Sequence, residues 1–326
     1  MRIVSGMRPT GKLHIGHYFG ALQNWLLLQE KHECFFLVAD WHALTTDYQD
    51  TSALKNNIFE MVMDWMAVGV DPTKSVIFLQ SQIKEHAELY LLLSMFTPLG
   101  WLERNPTFKE QKEQITDKDI QNLGFFGYPV LQATDVLIYK AEKIPVGKDQ
   151  VPHLEMTREI ARRFNHLTKT SLFPEPEAIL TSTPKIVGTD GRKMSKSYNN
   201  SILLSDPKDV VETKIRGMMT DPQRLRRQDP GNPDACNLFP LHTLYSDENL
   251  QKEVRLGCTS ATIGCVDCKK MLLPNINKYL EPIREKRLDL EKDPDTVQDI
   301  LNHGCQKARQ TAQTTIEEVR STLHLA

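Results

Sequence analysis

The chain opens Arg2-Ile3-Val4-Ser5-Gly6-Met7-Arg8-Pro9-Thr10-Gly11-Lys12-Leu13-His14-Ile15-Gly16-His17, and this stretch reads as strand, turn and helix. Residues 2–5 form a short β-like run. Gly6 to Gly11, with Pro9 between them, form a turn of small residues. From Gly16 an apolar periodicity sets in, with Tyr18, Leu22, Trp25 and Leu26 at helical spacing. A helix N-terminus carries free N–H groups and partial positive charge, which favour phosphate. His14 and His17 add directed N–H donors there, and Gly16 leaves room for a flat or bulky group near the backbone. The stretch lacks the Gly-x-Gly-x-x-Gly of a dinucleotide fold and the Gly-x-x-x-x-Gly-Lys-Ser/Thr of a P-loop. A His-x-x-His pair standing alone also fits a purely structural role.

Outward from this start, strands and helices alternate. Residues 34–39 (Cys-Phe-Phe-Leu-Val-Ala) are almost wholly apolar and end at Asp40, as a buried parallel strand does. Residues 56–66 are helical in pattern, and Asp71-Pro72 breaks them. Residues 75–79 form the next buried strand and 85–96 the next helix. The alternation predicts an open α/β sheet with right-handed crossovers. Residues 107–122 read as a solvated helix and loop, 124–127 as a hinge around two phenylalanines, and 130–140 as helix. Residues 144–147 read as a short strand ending at a loop. A helix over 150–164 follows, with Asp149 near its start and Arg162 and Arg163 in its last turn.

Prolines interrupt residues 173–184, and a Gly/Lys/Ser-rich loop runs from 188 to 200. Within it, Gly191-Arg192-Lys193-Met194-Ser195-Lys196-Ser197 sets two lysines among small hydroxyl residues. Such a loop can fold over a polyphosphate and withdraw, or serve only as a solvated basic linker. Beyond about residue 206 the pattern is helical nearly to the end, with breaks near 229–233 and at Pro274. The reading is a first domain over 1–189 and a helical one over 190–296. The last helix, from about 297, packs back onto the first domain.

Composition bounds the alternatives. Adding 16 glycines to the 40% hydrophobic set of 326 residues gives about 45% apolar, which excludes whole-chain disorder. The length suits two domains or one with an appendage. No run approaches the roughly 18 apolar residues of a membrane span. The first residues lack the apolar segment and cleavage site of a signal peptide, so a cytoplasmic location is expected. With 40 basic and 42 acidic residues, net charge is -2. That argues against a general nucleic-acid coat, yet leaves open a local basic face.

Together, His14-Ile15-Gly16-His17 and Lys193-Met194-Ser195-Lys196-Ser197 match both signatures of the class I aminoacyl-tRNA synthetases. The chain resembles the bacterial-type tryptophanyl-tRNA synthetase family nearly throughout, notably over 5–21, 128–139 and 145–165. The sister tyrosyl enzymes share both signatures, and a synthetase-like RNA-binding protein without charging activity is a further alternative. The resemblance implies a Rossmann-like catalytic domain and an all-helical anticodon-binding domain. It implies an ATP-dependent ligase that forms tryptophanyl-adenylate and passes the acyl group to the 3′-terminal adenosine of tRNA(Trp). His14, His17, Lys193 and Lys196 are then the groups acting on the phosphates. Arg8, Pro9, Thr10, Gly16, Gly147, Lys148, Asp149, Ile186, Met194, Ser195 and Ser197 complete the ATP site. Mg²⁺ would bind through phosphate oxygens. For L-tryptophan the implied residues are Asp135, which accepts the indole N–H, with Tyr128, Gln150, Gln132 and His42. Gln132 and Arg8 depart from the commoner Met and Gln of the family. Members are homodimers.

Of six cysteines, Cys34 and Cys305 read as buried small hydrophobes. Cys236, Cys258, Cys265 and Cys268 form C-x21-C-x6-C-x2-C, four soft ligands suited to zinc or a [4Fe–4S] cluster. A subset of the family carries such a cluster on nearly this spacing, and the resemblance implies it here. Lys269, Lys270 and the run Arg224-Leu225-Arg226-Arg227 are candidates for RNA phosphate contact or for a plain solvated face.

Overall fold

Among the described residues five strands pair in parallel, in the order β3-β2-β1-β4-β5. They are β1 Arg2–Met7, β2 Glu33–Val38, β3 Ser75–Leu79, β4 Lys143–Val146 and β5 Glu177–Leu180. The structure, a computed structural model, describes residues 1–104, 120–147, 150–180 and 186–325, the side chain of Ser197 excepted. In β2 every residue from Cys34 to Val38 is buried, because both faces of the sheet are covered. The chain winds from β1 through β2 to β3, then crosses back to β4 on the far side of β1. That reversal opens a crevice at the carboxyl ends of β1 and β4, where ligands of such sheets bind.

The helices are α1 Ile15–His17, α2 Gln23–Leu28, α3 Asp40–Asp47, α4 Leu54–Val68, α5 Glu85–Phe96, α6 Leu99–Glu103, α7 Leu123–Leu137 and α8 Val151–Thr168. Then come α9 Lys208–Gly217, α10 Phe239–Tyr245, α11 Glu248–Thr259, α12 Cys265–Lys292 and α13 Pro294–Thr322. A wider π-type turn, Tyr18–Leu22, joins α1 to α2. Local signals set several ends. Asn122 caps α7 by accepting the Phe125 N–H, Asp247 caps α11 by accepting that of Leu250, and Gly69 ends α4 at a φ of 112°.

Four expectations need correction. The pair around Gly124–Gly127 is no hinge, since both glycines lie inside α7. A Cβ on Gly127 would stand 2.4 Å from the Tyr90 hydroxyl, so the residue serves close approach of α5. Pro274 does not break the chain. It lies within α12, together with Pro282, because Leu272, Ile276, Leu280 and Ile283 bury a continuous stripe whose packing outweighs the local cost. β5 appears where prolines suggested irregular chain. It is an edge strand with little buried surface, so it leaves no apolar run to read. α8 runs on past Arg162 and Arg163 to Thr168, and Arg163 instead donates to the Phe96 carbonyl at 2.8 Å. Most of the segment read as solvated between 107 and 122 lies outside the described residues.

One apolar core joins the sheet to the helical half: Ile3, Met61 and Trp65 share it with Ile215, Leu272 and Ile276. α13 returns to the sheet edge and lies against β3 so closely that a Cβ on Gly304 would stand 1.8 Å from the Ile77 carbonyl oxygen. Cys34 is buried as expected. Cys305, on α13, is only partly so, and its sulfur accepts the Leu79 N–H.

Candidate active site

A cavity of about 390 Å³ sits at the reversal point between β1 and β4. Arg8, His42, Tyr128, Gln132, Asp135, Gly147 and Gln150 all line it, although they come from four separate stretches of chain. Phe125 and His153, not anticipated from sequence, line it too. Tyr128 reaches His153 across the wall, hydroxyl to Nε2 at 3.3 Å, and burial pushes its phenol above the ordinary range. Lys148 and Asp149 lie outside the described residues.

Asp135 is the charged centre of this cavity. It projects from α7 and is 4% exposed, so it is no surface charge. Its Oδ1 accepts from Gln80 Nε2 at 2.7 Å and from His86 Nδ1 at 2.7 Å. Its Oδ2 meets His42 Nε2 at 2.9 Å. Burial alone would push this carboxyl up, but the hydrogen bonds from His42 and His86 outweigh it and hold the group below its ordinary value. An ionised carboxylate therefore stands in a cleft of mixed polar and apolar lining. Gln80 and His86 escaped the sequence reading. Both follow β3 directly, at the carboxyl end of a parallel strand, which is the one signal that pointed to them.

The two signatures meet beside the cavity. Lys196 Nζ donates to the Lys12 carbonyl at 2.9 Å and to the hydroxyl and carbonyl of Thr10. The buried Met194 packs towards Gly16, and Pro9 is buried in the same turn. Ile15 donates to the Ile202 carbonyl at 3.0 Å, and Leu204 to that of Leu13 at 2.9 Å. Asn200, also missed from sequence, braces the second signature: its Oδ1 accepts the Ser195 N–H at 2.7 Å and its Nδ2 donates to Asp190 and to the Lys193 carbonyl. Lys193 itself points outward and is exposed. Ile186 packs against the core that joins the two halves and does not line the cavity.

The space left at Gly16 is already filled. A Cβ there would stand 2.8 Å from His14 Nδ1, so the glycine makes room for the His14 ring and not for a ligand. The His14 and His17 rings lie 3.7 Å apart. The His14 N–H donates to His17 Nδ1 at 3.2 Å, which assigns the His17 proton to Nε2. Burial, then Lys196, lowers His14 to about 4. Burial, then His14 and Lys196, lowers His17 to about 3. Both rings are thus neutral near pH 7, able to donate without adding charge.

In the helical half, Cys236, Cys258, Cys265 and Cys268 gather near one another. Burial and then the other three cysteines push Cys268 up to about 12, and burial likewise raises Cys236 and Cys258. Gly231 backs this corner, since a Cβ there would stand 2.6 Å from the Cys258 sulfur. Among the described residues no three His, Cys, Asp or Glu side chains stand ready around a single ion. All six cysteines are free thiols. Two basic candidates are spent internally: Arg224 donates to the Arg227 and Ile263 carbonyls, and Lys269 to those of Arg216 and Met218. Arg226, Arg227 and Lys270 remain exposed.

Residues 1–281 match the tRNA synthetases class I (W and Y). A tryptophan–tRNA ligase of Thermotoga maritima is 56% identical, with 100% of this chain and 99% of that protein covered. One from Aquifex aeolicus is 47% identical, with both chains covered in full. The crystal structure of tryptophanyl-tRNA synthetase from Campylobacter jejuni, complexed with ADP and tryptophan, superposes with a TM-score of 0.89 at 37% identity over 100% of each chain.

Proposed function

The chain belongs to the class I tRNA synthetases for tryptophan and tyrosine, and from that premise we propose how its residues divide the work. It is an ATP-dependent tryptophan–tRNA ligase. The amino-acid carboxylate attacks the α-phosphorus of ATP and pyrophosphate departs. A hydroxyl of the 3′-terminal adenosine of tRNA(Trp) then displaces AMP from the adenylate. No covalent enzyme intermediate is needed, so the protein's part is placement and charge stabilisation.

Asp135 accepts the indole N–H on Oδ2, the oxygen with a single protein partner. Indole offers one donor and no acceptor, which suits a carboxylate oxygen turned into the cleft. Tyr128 and Gln150 address the ammonium group, and His42 and Gln132 flank the ring. His14, His17 and the Arg8–Pro9–Thr10 turn hold the phosphates, with Gly16 giving His14 its place. Lys196, with Lys193, Met194, Ser195 and Ser197, follows the charge that builds on the leaving pyrophosphate. Gly147 and Asp149 are assigned to the ribose and Lys148 to the same ATP site, and Ile186 contributes a backbone contact to adenine. Mg²⁺ would bind through the phosphate oxygens and would neutralise part of their charge. The observation that carries this reading is Lys196 lying on Thr10, 186 positions away in the chain, so that both signatures close on one place.

Amino-acid-dependent pyrophosphate exchange, with tryptophan and tyrosine offered separately, tests it. Exchange with tryptophan is expected. Exchange only with tyrosine reassigns the substrate, and none with either favours an RNA-binding protein without charging activity.

Residues 1–189 act as the Rossmann-like catalytic domain and 190–296 as the helical anticodon-binding domain. Cys236, Cys258, Cys265 and Cys268 hold a [4Fe–4S] cluster, with zinc the alternative. The gathering of four soft thiols in one corner, the other three acting on Cys268, supports this. The group would supply a structural cross-link beside the RNA-binding region. Metal analysis and the absorption spectrum of anaerobically purified protein decide between the two. The enzyme works as a homodimer in the cytoplasm. Leu91, Met95, Leu99 and Leu123, all more than half exposed on and beyond α5, support a second copy covering that face. No helix among the described residues is long and apolar enough to cross a membrane. Sedimentation tests the dimer.

A further inference from the structure

Along α12 the buried stripe Leu272, Ile276, Leu280 and Ile283 continues at Arg287, a core-facing position that carries a guanidinium and is 1% exposed. Every arm of that group is engaged. Nη1 donates to Asp64 Oδ1 and, at 2.9 Å, to the Glu60 carbonyl; Nη2 donates to Glu60 Oε2; Nε donates to Glu291 Oε1 at 3.0 Å. Burial works against the charge of Arg287, but Asp64 and then Glu60 outweigh it and hold the group above its ordinary value.

Asp64, on α4, is wholly buried and uses both oxygens. Oδ1 takes Arg287, and Oδ2 accepts the backbone N–H of Leu13 at 2.6 Å. Leu13 is the residue before His14. A single carboxylate thus spans the gap between a helix of the C-terminal half and the backbone that begins the histidine signature. From the other side, residues 202–204 hold Leu13 and Ile15 through backbone bonds. The same acidic face draws in the signature lysines. Lys12 stands 3.8 Å from Glu60, and the charge of Asp64 acts on Lys196.

We propose that Arg287 is a positioning residue for the ATP-dependent step: through Asp64 it fixes the backbone at Leu13, and with it the place of the His14 and His17 rings. This rests on the reading of function above. The planar guanidinium reaches Asp64, Glu60 and Glu291 at once, each along a fixed N–H direction, which a lysine ammonium does not reproduce. The rings approach a phosphate only where their backbone puts them, and small misplacements at such a site are costly in rate. α12 also begins at Cys265, so about 33 Å of one helix separates the four-cysteine corner from this bridge.

The test sets ATP against tryptophan. In R287M, kcat/KM for ATP in pyrophosphate exchange should fall tenfold or more, while the Kd for tryptophan, read by equilibrium dialysis, moves less than twofold. R287K should recover part of the ATP loss but not all of it. Should R287M fail to fold, the apolar pair D64L/R287M removes the opposed charges together and leaves Leu13 without its acceptor; it should show the same split. Unchanged ATP parameters in any folded variant of this set lacking Arg287, or parallel losses for ATP and tryptophan, overturn the proposal. If the unaltered enzyme exchanges with tyrosine instead, the substrate reading fails, while the ATP arm still decides the role of Arg287.

Discussion

His86 Nδ1 lies 2.7 Å from Asp135 Oδ1, and the other nitrogen of the same ring lies 2.7 Å from the Tyr139 hydroxyl. All three groups are buried. Burial first, then the charge of Asp135, raises the Tyr139 phenol well above its ordinary value, so it keeps its proton and donates it to His86 Nε2. The histidine therefore carries its proton on Nδ1 and donates to Asp135. The relay spends Oδ1 inside the protein and leaves Oδ2, which among the described residues meets only His42, as the acceptor that faces a ligand.

Replacing Asp135 by Asn keeps the shape and removes the charge. kcat/KM for tryptophan should fall about 100-fold or more, as expected for loss of a hydrogen bond to a charged, buried partner. KM for ATP should stay within about threefold. Exchange kinetics with each substrate varied in turn check this, and equal losses for the two would refute the role given to Asp135.

Tyr139→Phe removes the far end of the relay without opening a cavity. His86 Nε2 then lacks its donor in a fully buried place, at a cost of about 1–2 kcal/mol in a denaturant titration. Tryptophan affinity should weaken a few-fold through Asp135, with ATP binding unaltered. A stability equal to that of the parent would show that the hydroxyl bond contributes nothing.

The depressed histidines set an acid limb for stability. His14 and His17 titrate near 4 and 3 in the folded protein against 6.5 when free of these surroundings. As pH falls below about 6.5 the unfolded chain takes up protons that the folded one does not. Each histidine then removes roughly 1.4 kcal/mol per pH unit, His14 down to about pH 4 and His17 to about pH 3. Above pH 6.5 neither contributes a slope. Replacing His17 by Gln should flatten the pH dependence of the unfolding midpoint in that window, and an unchanged slope would contradict neutral burial.

Gly304→Ala places a methyl group 1.8 Å from a strand carbonyl that cannot rotate away. α13 must then lift from β3, at a cost of about 3 kcal/mol. Thermal unfolding of the variant measures it.

Sequence alone was enough for what depends on neighbours along the chain. The strand Ser75–Leu79 and the helix Glu85–Phe96 could be read to the residue, because apolar periodicity reports directly which side of an element is buried. The two signatures and the four cysteines were likewise legible, as residue types at fixed spacing. What periodicity does not carry is the identity of the partner across the core. Asp135 could be picked out by resemblance, but its bonds to Gln80 and His86 arise only when α7 packs over the end of β3. Arg287 carries no signal in the sequence that sets it apart from the other charges of its helix; its burial against Asp64 follows from how α12 crosses α4. Glycines 124 and 127 and the edge strand β5 were misread for the same reason, since a close helix approach and a pairing with one neighbour leave little trace in local composition. Which side chains lie inside was therefore fixed by the order of residues, while which of them touch was decided by the packing of elements far apart in the chain.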